Sequence, residues 1–461
     1  MIRRPPRSTL FPYTTLFRSA TGRPYISLAT QLLNVKSGPT MRVNGLSGTT
    51  TNQYRLDGEV LGNIAAAGIT TRTQPSPDAI EEVAVQTSNF AAEFGSVSGA
   101  LFNITLKSGT NKFHGTAYDY MVNEVLNAND PTVGAKNRVR RHDYGFNVGG
   151  PIRLPHLYDG TNKTFFFANW EQYRDVQQQL TGFTVPTVPT QAYRSGDYSG
   201  LFAASGNVNL RMAAAGNLAA HDYLDPLGAT ARLGTVYDPR STRQVTCNTA
   251  VSIDCGTQGT VLNVRTAFPG NVVPTTLLDP IALAIQNKYI PLPKGPNADA
   301  GLLVNNYYAP FKTWRITRTP AFKFDHNLST KGRVSFTYTE NHTASPVQAL
   351  GGLAEGFDSV ISTNRGTYES SPTYRLNFDY TLLPTVNLHL GAGWSEFNFA
   401  DNALITDYNP LQDIGLKGAT LNRNFPRIGA TFTATPAIGG MNAMGPSPQG
   451  SSPEKRPSGT A

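Results

Sequence analysis

The sequence predicts a mainly β protein whose long antiparallel strands cross a membrane as an open, curved part of a barrel. Three observations predict it. Aromatic-rich segments alternate apolar and polar residues with period two, many of these segments are 9–13 residues long, and the connections between them alternate long and short. A tilted strand needs ~9–11 residues to cross a bilayer, whereas an average strand of a soluble domain has only ~5–6.

Seven segments carry the alternation, at 112–122, 142–152, 163–174, 314–325, 333–339, 374–381 and 386–394. Residues 142–152 set Tyr144, Phe146, Val148 and Ile152 against Asp143, Asn147 and Gly149. Val334, Phe336 and Tyr338 share one face of the fifth segment. In the sixth, Tyr374, Leu376, Phe378 and Tyr380 oppose Arg375, Asn377, Asp379 and Thr381. The last places Val386, Leu388, Leu390, Ala392 and Trp394 together. Successive side chains of a strand point to opposite faces, so each segment has one apolar and one polar face. The apolar faces are expected to meet lipid and the polar ones a lumen, so that Phe378→Arg is costly and Asn377→Arg milder. Period two also fits a soluble sandwich. The connections separate the two readings: long at 123–141, 175–312 and 341–368, and short at 153–162, 327–331 and 383–385. Membrane barrels pair long extracellular loops with short periplasmic turns in this order. Trp170, Tyr173, Trp314 and Trp394 at segment ends fit interfacial girdles.

Bulk properties agree. Charged residues are 15% of 461 and mean hydropathy is −0.28, with no stretch near the ~18 apolar residues of a membrane helix. The formal charge is +8, but residues 1–20 hold four arginines and no acid, which leaves +4 for the rest. No helix-turn-helix, zinc-finger or RNA-binding signature accompanies the charge, so no nucleic-acid partner is expected. Arg3-Arg4 invites a twin-arginine reading, yet Pro5, Pro6, Pro12 and Arg18 interrupt any apolar core. The run from Thr9 to Ser19 resembles the in-frame translation of a short-read sequencing adapter, and residues 1–19 are expected to be an assembly artefact.

The seven histidines are scattered, with no HExxH pair, no GxSxG elbow and no phosphate loop. No catalytic, cofactor or metal site is expected. Cys247 and Cys255 lie eight apart in a polar stretch, a spacing that closes a small loop when oxidised. A disulfide and two free thiols are the two readings, and an extracytoplasmic setting favours the first. The insertion 175–312 far exceeds the ~12–15 residues of an ordinary loop. Asp279-Pro280 followed by Ile-Ala-Leu-Ala-Ile-Gln looks like a capped helix within it.

Residues 20–110 differ in texture, mixing short strands with turns and one short helix. Here the chain resembles a known family. Pro77-Asp-Ala-Ile-Glu-Glu-Val-Ala-Val-Gln-Thr87, the run Ala92–Ala100 and Asn103–Asn111 are similar to the plug segment of TonB-dependent outer-membrane receptors. Val43-Asn-Gly45, Leu56-Asp-Gly58, Phe113-His-Gly115, Gly149-Gly-Pro151, Lys163–Phe167, Thr187-Val-Pro189, Gly196-Asp-Tyr198 and Phe268–Asn271 resemble the Oar-like subgroup. The resemblance spans about 40–400. It implies a small α/β plug inside a barrel of about 22 strands. It also implies a monomer in the bacterial outer membrane, surrounded by its lipid, that binds an extracellular ligand and is energised by the TonB–ExbB–ExbD complex. On this reading 20–110 is a partial plug domain and 111–461 the N-terminal part of the barrel, with the long extracellular loop at 175–312. A TonB box would precede residue 20, and about fifteen strands would follow residue 461. A surface adhesin or structural outer-membrane protein without transport is the alternative; it would keep the strands and lack a plug.

Within the plug, Ser76 and Pro77 suit an N-cap and first helical position, ahead of a short helix running into a strand over Val83–Thr87. Ile80 and Val83 would face the plug sheet. Gly95, Gly99, Ser96 and Ser98 are either close-approach positions or a flexible loop. Arg55 and Asp57, beside Gly58, are candidates to bridge plug and wall, with exposed surface charge as the other reading.

Overall fold

The computed structural model describes residues 35–36, 42–43, 46–47, 52–61, 75–87, 99–129, 136, 138–179, 187–204, 211–212, 221–308, 311–348, 357, 360–362, 365–403, 405–418, 423–428, 444–446 and 450–460. The adapter-like residues 1–19, and Gly95, Ser96 and Ser98, lie outside these.

After three two-residue strands at Val35–Lys36, Arg42–Val43 and Leu46–Ser47 comes a small four-stranded sheet. Its strands are β1 (Gln53–Leu56), β2 (Glu59–Leu61), β3 (Ile80–Gln86) and β4 (Leu101–Leu106), in the order β2-β1-β4-β3. β1 and β4 run parallel and the other pairs antiparallel. Tyr54 stacks on Phe102 at 4.7 Å, and Leu56, Leu61, Ala79, Ile104 and Leu106 close the core around them. The expected helix after Pro77 is a single 3-10 turn, Pro77–Ala79, and the strand starts at Ile80 rather than Val83. Ser76 caps that turn, accepting from the Asp78 amide. β-branched and extended residues from Ile80 onward pair with β4, which ends the helix after one turn.

The wall follows: β5 (His114–Asn123), β6 (Arg138–Pro151), β7 (Thr164–Gln179), β8 (Phe311–Arg318), β9 (Ala321–Asn327), β10 (Gly332–Thr339), β11 (His342–Gln348), β12 (Arg365–Ser370), β13 (Thr373–Leu383), β14 (Val386–Ala403) and β15 (Gly450–Thr460). β8 and β9 both pair with β7, β9 with β10, and β8 with β11. β13 and β12 both pair with β14. The eleven segments are therefore eight neighbouring antiparallel passes, three of which break at one level. The breaks lie at Thr319-Pro320, Glu340-Asn341 and Ser371-Pro372. They are stitched in a row: the Thr319 amide donates to Glu171 O, Glu340 to Pro320 O, Ser371 to Asn341 O and Glu396 to Pro372 O. The result is an open curved antiparallel sheet with the small plug sheet against its concave face.

One expectation is corrected here. The stretch Gly439–Thr460 is rich in Gly, Pro and Ser and by sequence reads as one more long outer loop, which would leave the strand at 386–398 without a further partner. Instead Gly450–Thr460 pairs with β14 from Asp401 to Gly391. Pro453 and Pro457 obscure this strand in the sequence, since proline suits only the edge of a sheet, and β15 is an edge among the described residues.

The wall's faces are inverted relative to a soluble protein. On β13, Thr373, Arg375 and Asn377 are buried toward the plug, while Tyr374 and Leu376 are exposed outward. From Tyr374 to Leu382 the outward side chains cover about 27 Å of strand and, at a ~40° tilt, roughly 20 Å of membrane, near the ~25 Å apolar band of such barrels.

The connections at 152–163, 328–331 and 384–385 are short, and those after β5, β7, β11 and β14 are long. Three long ones share a second core containing Val188, Ile285, Ile290, Phe357, Ile361, Tyr408, Ile414, Phe425 and Met444. The expected helix is α1 (Pro280–Tyr289), capped by Asp279 accepting from the Ala282 amide. The buried Arg194 guanidinium donates to Gln286 O, Ile290 O and Pro291 O at 2.7–2.8 Å and closes the helix's C-terminal end. Lys288 of α1 pairs with Asp413 in the last long connection at 2.9 Å.

Candidate functional site: the plug–wall interface

The tight turn between β1 and β2 projects the plug's charged groups into the wall. Asp57 and Gly58 occupy left-handed backbone, φ +46° and +94°. Such a turn tolerates Asp and favours Gly. Asp57 then meets Lys323 of β9 at 3.1 Å and accepts from Thr337 of β10 at 2.8 Å. Asn377 of β13 donates to Asp57 O at 3.0 Å, and Lys323 donates to Leu106 O at 3.2 Å. The Asp57 carboxylate also accepts from the Leu106 amide, tying the β1–β2 turn to the end of β4.

Two residues on, Glu59 meets Arg375 of β13 at 3.4 Å, each side chain 1% exposed. Arg375 also donates to Asn377 Oδ1 at 2.8 Å and to Ser458 of β15 at 3.3 Å. Ser458 donates in turn to Glu59. Burial pushes the Glu59 carboxyl up, against the lowering pull of Ser458 and Arg375. Gly393 of β14 leaves room for this pair: a Cβ there would overlap the Glu59 carboxylate. A third contact uses the cap residue. Ser76 Oγ donates to Glu171 of β7 at 2.9 Å, and Tyr118 OH of β5 to the same oxygen at 2.6 Å.

Of the two bridging candidates, the structure brings Asp57 to the wall, while Arg55 Nε donates to Gln53 within β1 at 3.1 Å. Cys247 and Cys255 are bonded, with Cα atoms 5.4 Å apart, in the long connection after β7. Asn377, expected as a tolerant lumenal position, is instead buried between Asp57 and Arg375. Sequence reading assigned no plug–wall contact to Glu59, Lys323, Arg375, Ser76 or Glu171, though it gave Ser76 as an N-cap and Arg375 to a polar face. The available signal was the polar parity of the wall strands, which marks Lys323 and Arg375 as inward-facing but does not name their partners.

The arrangement is a seat: a compact sheet held inside a polar wall by opposed buried charges. Residues 105–455 match the family model described as outer membrane beta barrel domain. The siderophore receptor PirA from Acinetobacter baumannii is 12% identical, over 82% of this chain and 46% of that one, with a TM-score of 0.34. The ferric-catecholate import receptor Fiu from E. coli K12 is 10% identical, over 84% and 48%, also at 0.34. The FrpB iron transporter from Neisseria meningitidis, F3-3 variant, is 10% identical over 83% and 56%, at 0.24. The chain spans roughly half the length of these structures. No curated protein matches it.

Proposed function

Because the chain belongs to the outer membrane beta barrel domain family and is a protein of the bacterial outer membrane, we propose that it forms plug and wall of a TonB-dependent receptor of the Oar-like subgroup. Such a receptor takes up an extracellular ligand and is energised by TonB–ExbB–ExbD. The observation that carries this reading is the buried charge lattice of Asp57–Lys323 and Glu59–Arg375 between a separate sheet and a polar wall. Buried ion pairs repay little more than their desolvation, so they define a position without gluing it. A plug that must shift to admit a ligand is better seated that way than on a continuous apolar core. An adhesin has no need of a seated plug.

The test is a tether. Asp57→Cys with Thr337→Cys, bridged by a reducible thiol cross-linker in cells expressing the whole gene, should block accumulation of labelled ferric siderophores or oligosaccharides. Reductant should restore it, and cells without TonB should lack it throughout. Accumulation indifferent to both tether and TonB would sink the proposal.

A further inference from the structure

The outward face of the wall carries a basic patch that the plug does not use. Arg174 of β7 and Arg318 of β8 are exposed, and their neighbours Tyr173, Asp175 and Thr317 are buried on the opposite face. Both arginines therefore point away from the lumen. Arg174 is the register partner of both His142 and Ile316, and Arg318 that of both Gln172 and His342. Arg174 and Arg318 are thus diagonal neighbours, roughly 7–8 Å apart at the backbone.

Neither guanidinium has a carboxylate partner among the described residues. The acids nearest in register are engaged elsewhere: Asp119 by His142 at 3.2 Å, and Glu340 by Tyr338 and Ser370 at 2.8 and 2.9 Å. Arg318 Nε donates to Gln172, which donates to Tyr144 OH at 2.6 Å, so this guanidinium is held in place by a relay over three strands. Apolar groups flank the patch on both sides. Ile316, Val176 and Trp314 lie above it, with Trp314 opposite Val176. Below it Trp170 packs against Tyr144 and Phe146 with ring centroids 5.8 and 6.3 Å apart.

We propose that this patch binds the phosphate of an acylated, phosphorylated glycolipid in the outer leaflet, with the acyl chains running from it toward the short-turn end along Trp170 and Phe146. Paired guanidiniums suit a phosphate because each offers a fork of donors. The apolar cluster of Trp170, Tyr144 and Phe146 on the short-turn side suits chains rather than a soluble anion. The proposal rests on the long connections facing the cell exterior and is independent of transport.

The test uses the whole protein purified from outer membranes, with bisphosphoryl lipid A as probe and native mass spectrometry as readout. Arg174→Gln with Arg318→Gln should lower lipid A retention by roughly tenfold or more, the scale of lost charge-assisted bonds. Arg153→Gln, at the short-turn end, should leave it unchanged. Heat-modifiable mobility confirms folding; if the double variant does not fold, Arg174→Gln is compared with Arg174→Lys, the lysine retaining more lipid. Equal retention of dephosphorylated lipid A, displacement by equimolar inorganic phosphate, or unchanged retention in the folded variant would each overturn the proposal. Preference for phosphatidylglycerol over lipid A would overturn it by placing the patch in the other leaflet.

Discussion

Asp57 in the plug turn and Lys323 on the wall face each other at 3.1 Å with side chains only 6% and 7% exposed. Removing one partner strands the other charge where water cannot reach it. Asp57→Ala should therefore loosen plug seating by about 3–5 kcal/mol, and adding Lys323→Met should recover much of that loss. Denaturant titration of the whole protein, followed by protease cleavage within the plug, measures both. A double variant as weak as the single one would show that Asp57 acts through Thr337 and Asn377 instead.

The second pair behaves differently with pH. Arg375→Met leaves Glu59 buried without its cation. Burial raises the Glu59 pKa, so the seated state holds its proton more tightly than the unseated one. Seating is then strongest below the ordinary carboxylate range and weakens as pH rises through the raised value. The variant should seat almost normally near pH 4 and lose about 3–5 kcal/mol at alkaline pH. A flat pH profile of plug protection would refute the assignment.

On the lipid face, Leu376 is 48% exposed near the middle of β13. Leu376→Arg should cost ~2–4 kcal/mol in barrel-folding assays, and Leu376→Val well under half of that. Equal costs would mean that this face does not meet hydrocarbon. Asn377→Arg should also be costly, for a different reason: it forces a second guanidinium beside Arg375.

In the long connection, Arg194→Ala removes three charge-assisted bonds to the end of α1. The expected loss is about 2–4 kcal/mol of local stability. Hydrogen exchange of residues 281–289 should accelerate while the wall strands stay protected. Unchanged exchange would show that α1 is held by its packing alone.

Strand direction and facing were legible in residues 374–381, because a two-residue pleat turns simple alternation into two faces. The capped helix at Asp279-Pro280 was legible for a similar reason, its signal lying within four residues. The one-turn helix at Pro77 was overread, since a good N-cap does not say how far a helix runs. The strand Gly450–Thr460 was missed because Pro453 and Pro457 argue locally against pairing that an edge position permits.

Local chemistry in the sequence by itself determined the antiparallel passes, the alternation of short turns and long connections, and the polar inner face of the wall. It also set Asp57 beside Gly58, where the structure makes its left-handed turn. Only the tertiary structure decided that Asp57 meets Lys323, 266 residues away, and Glu59 meets Arg375, 316 residues away. An inward charge on a strand is marked by parity, a property of its neighbours. Its partner is chosen by how a separate sheet seats against the curved wall, and that depends on the packing of Phe167, Ala321 and the plug core together.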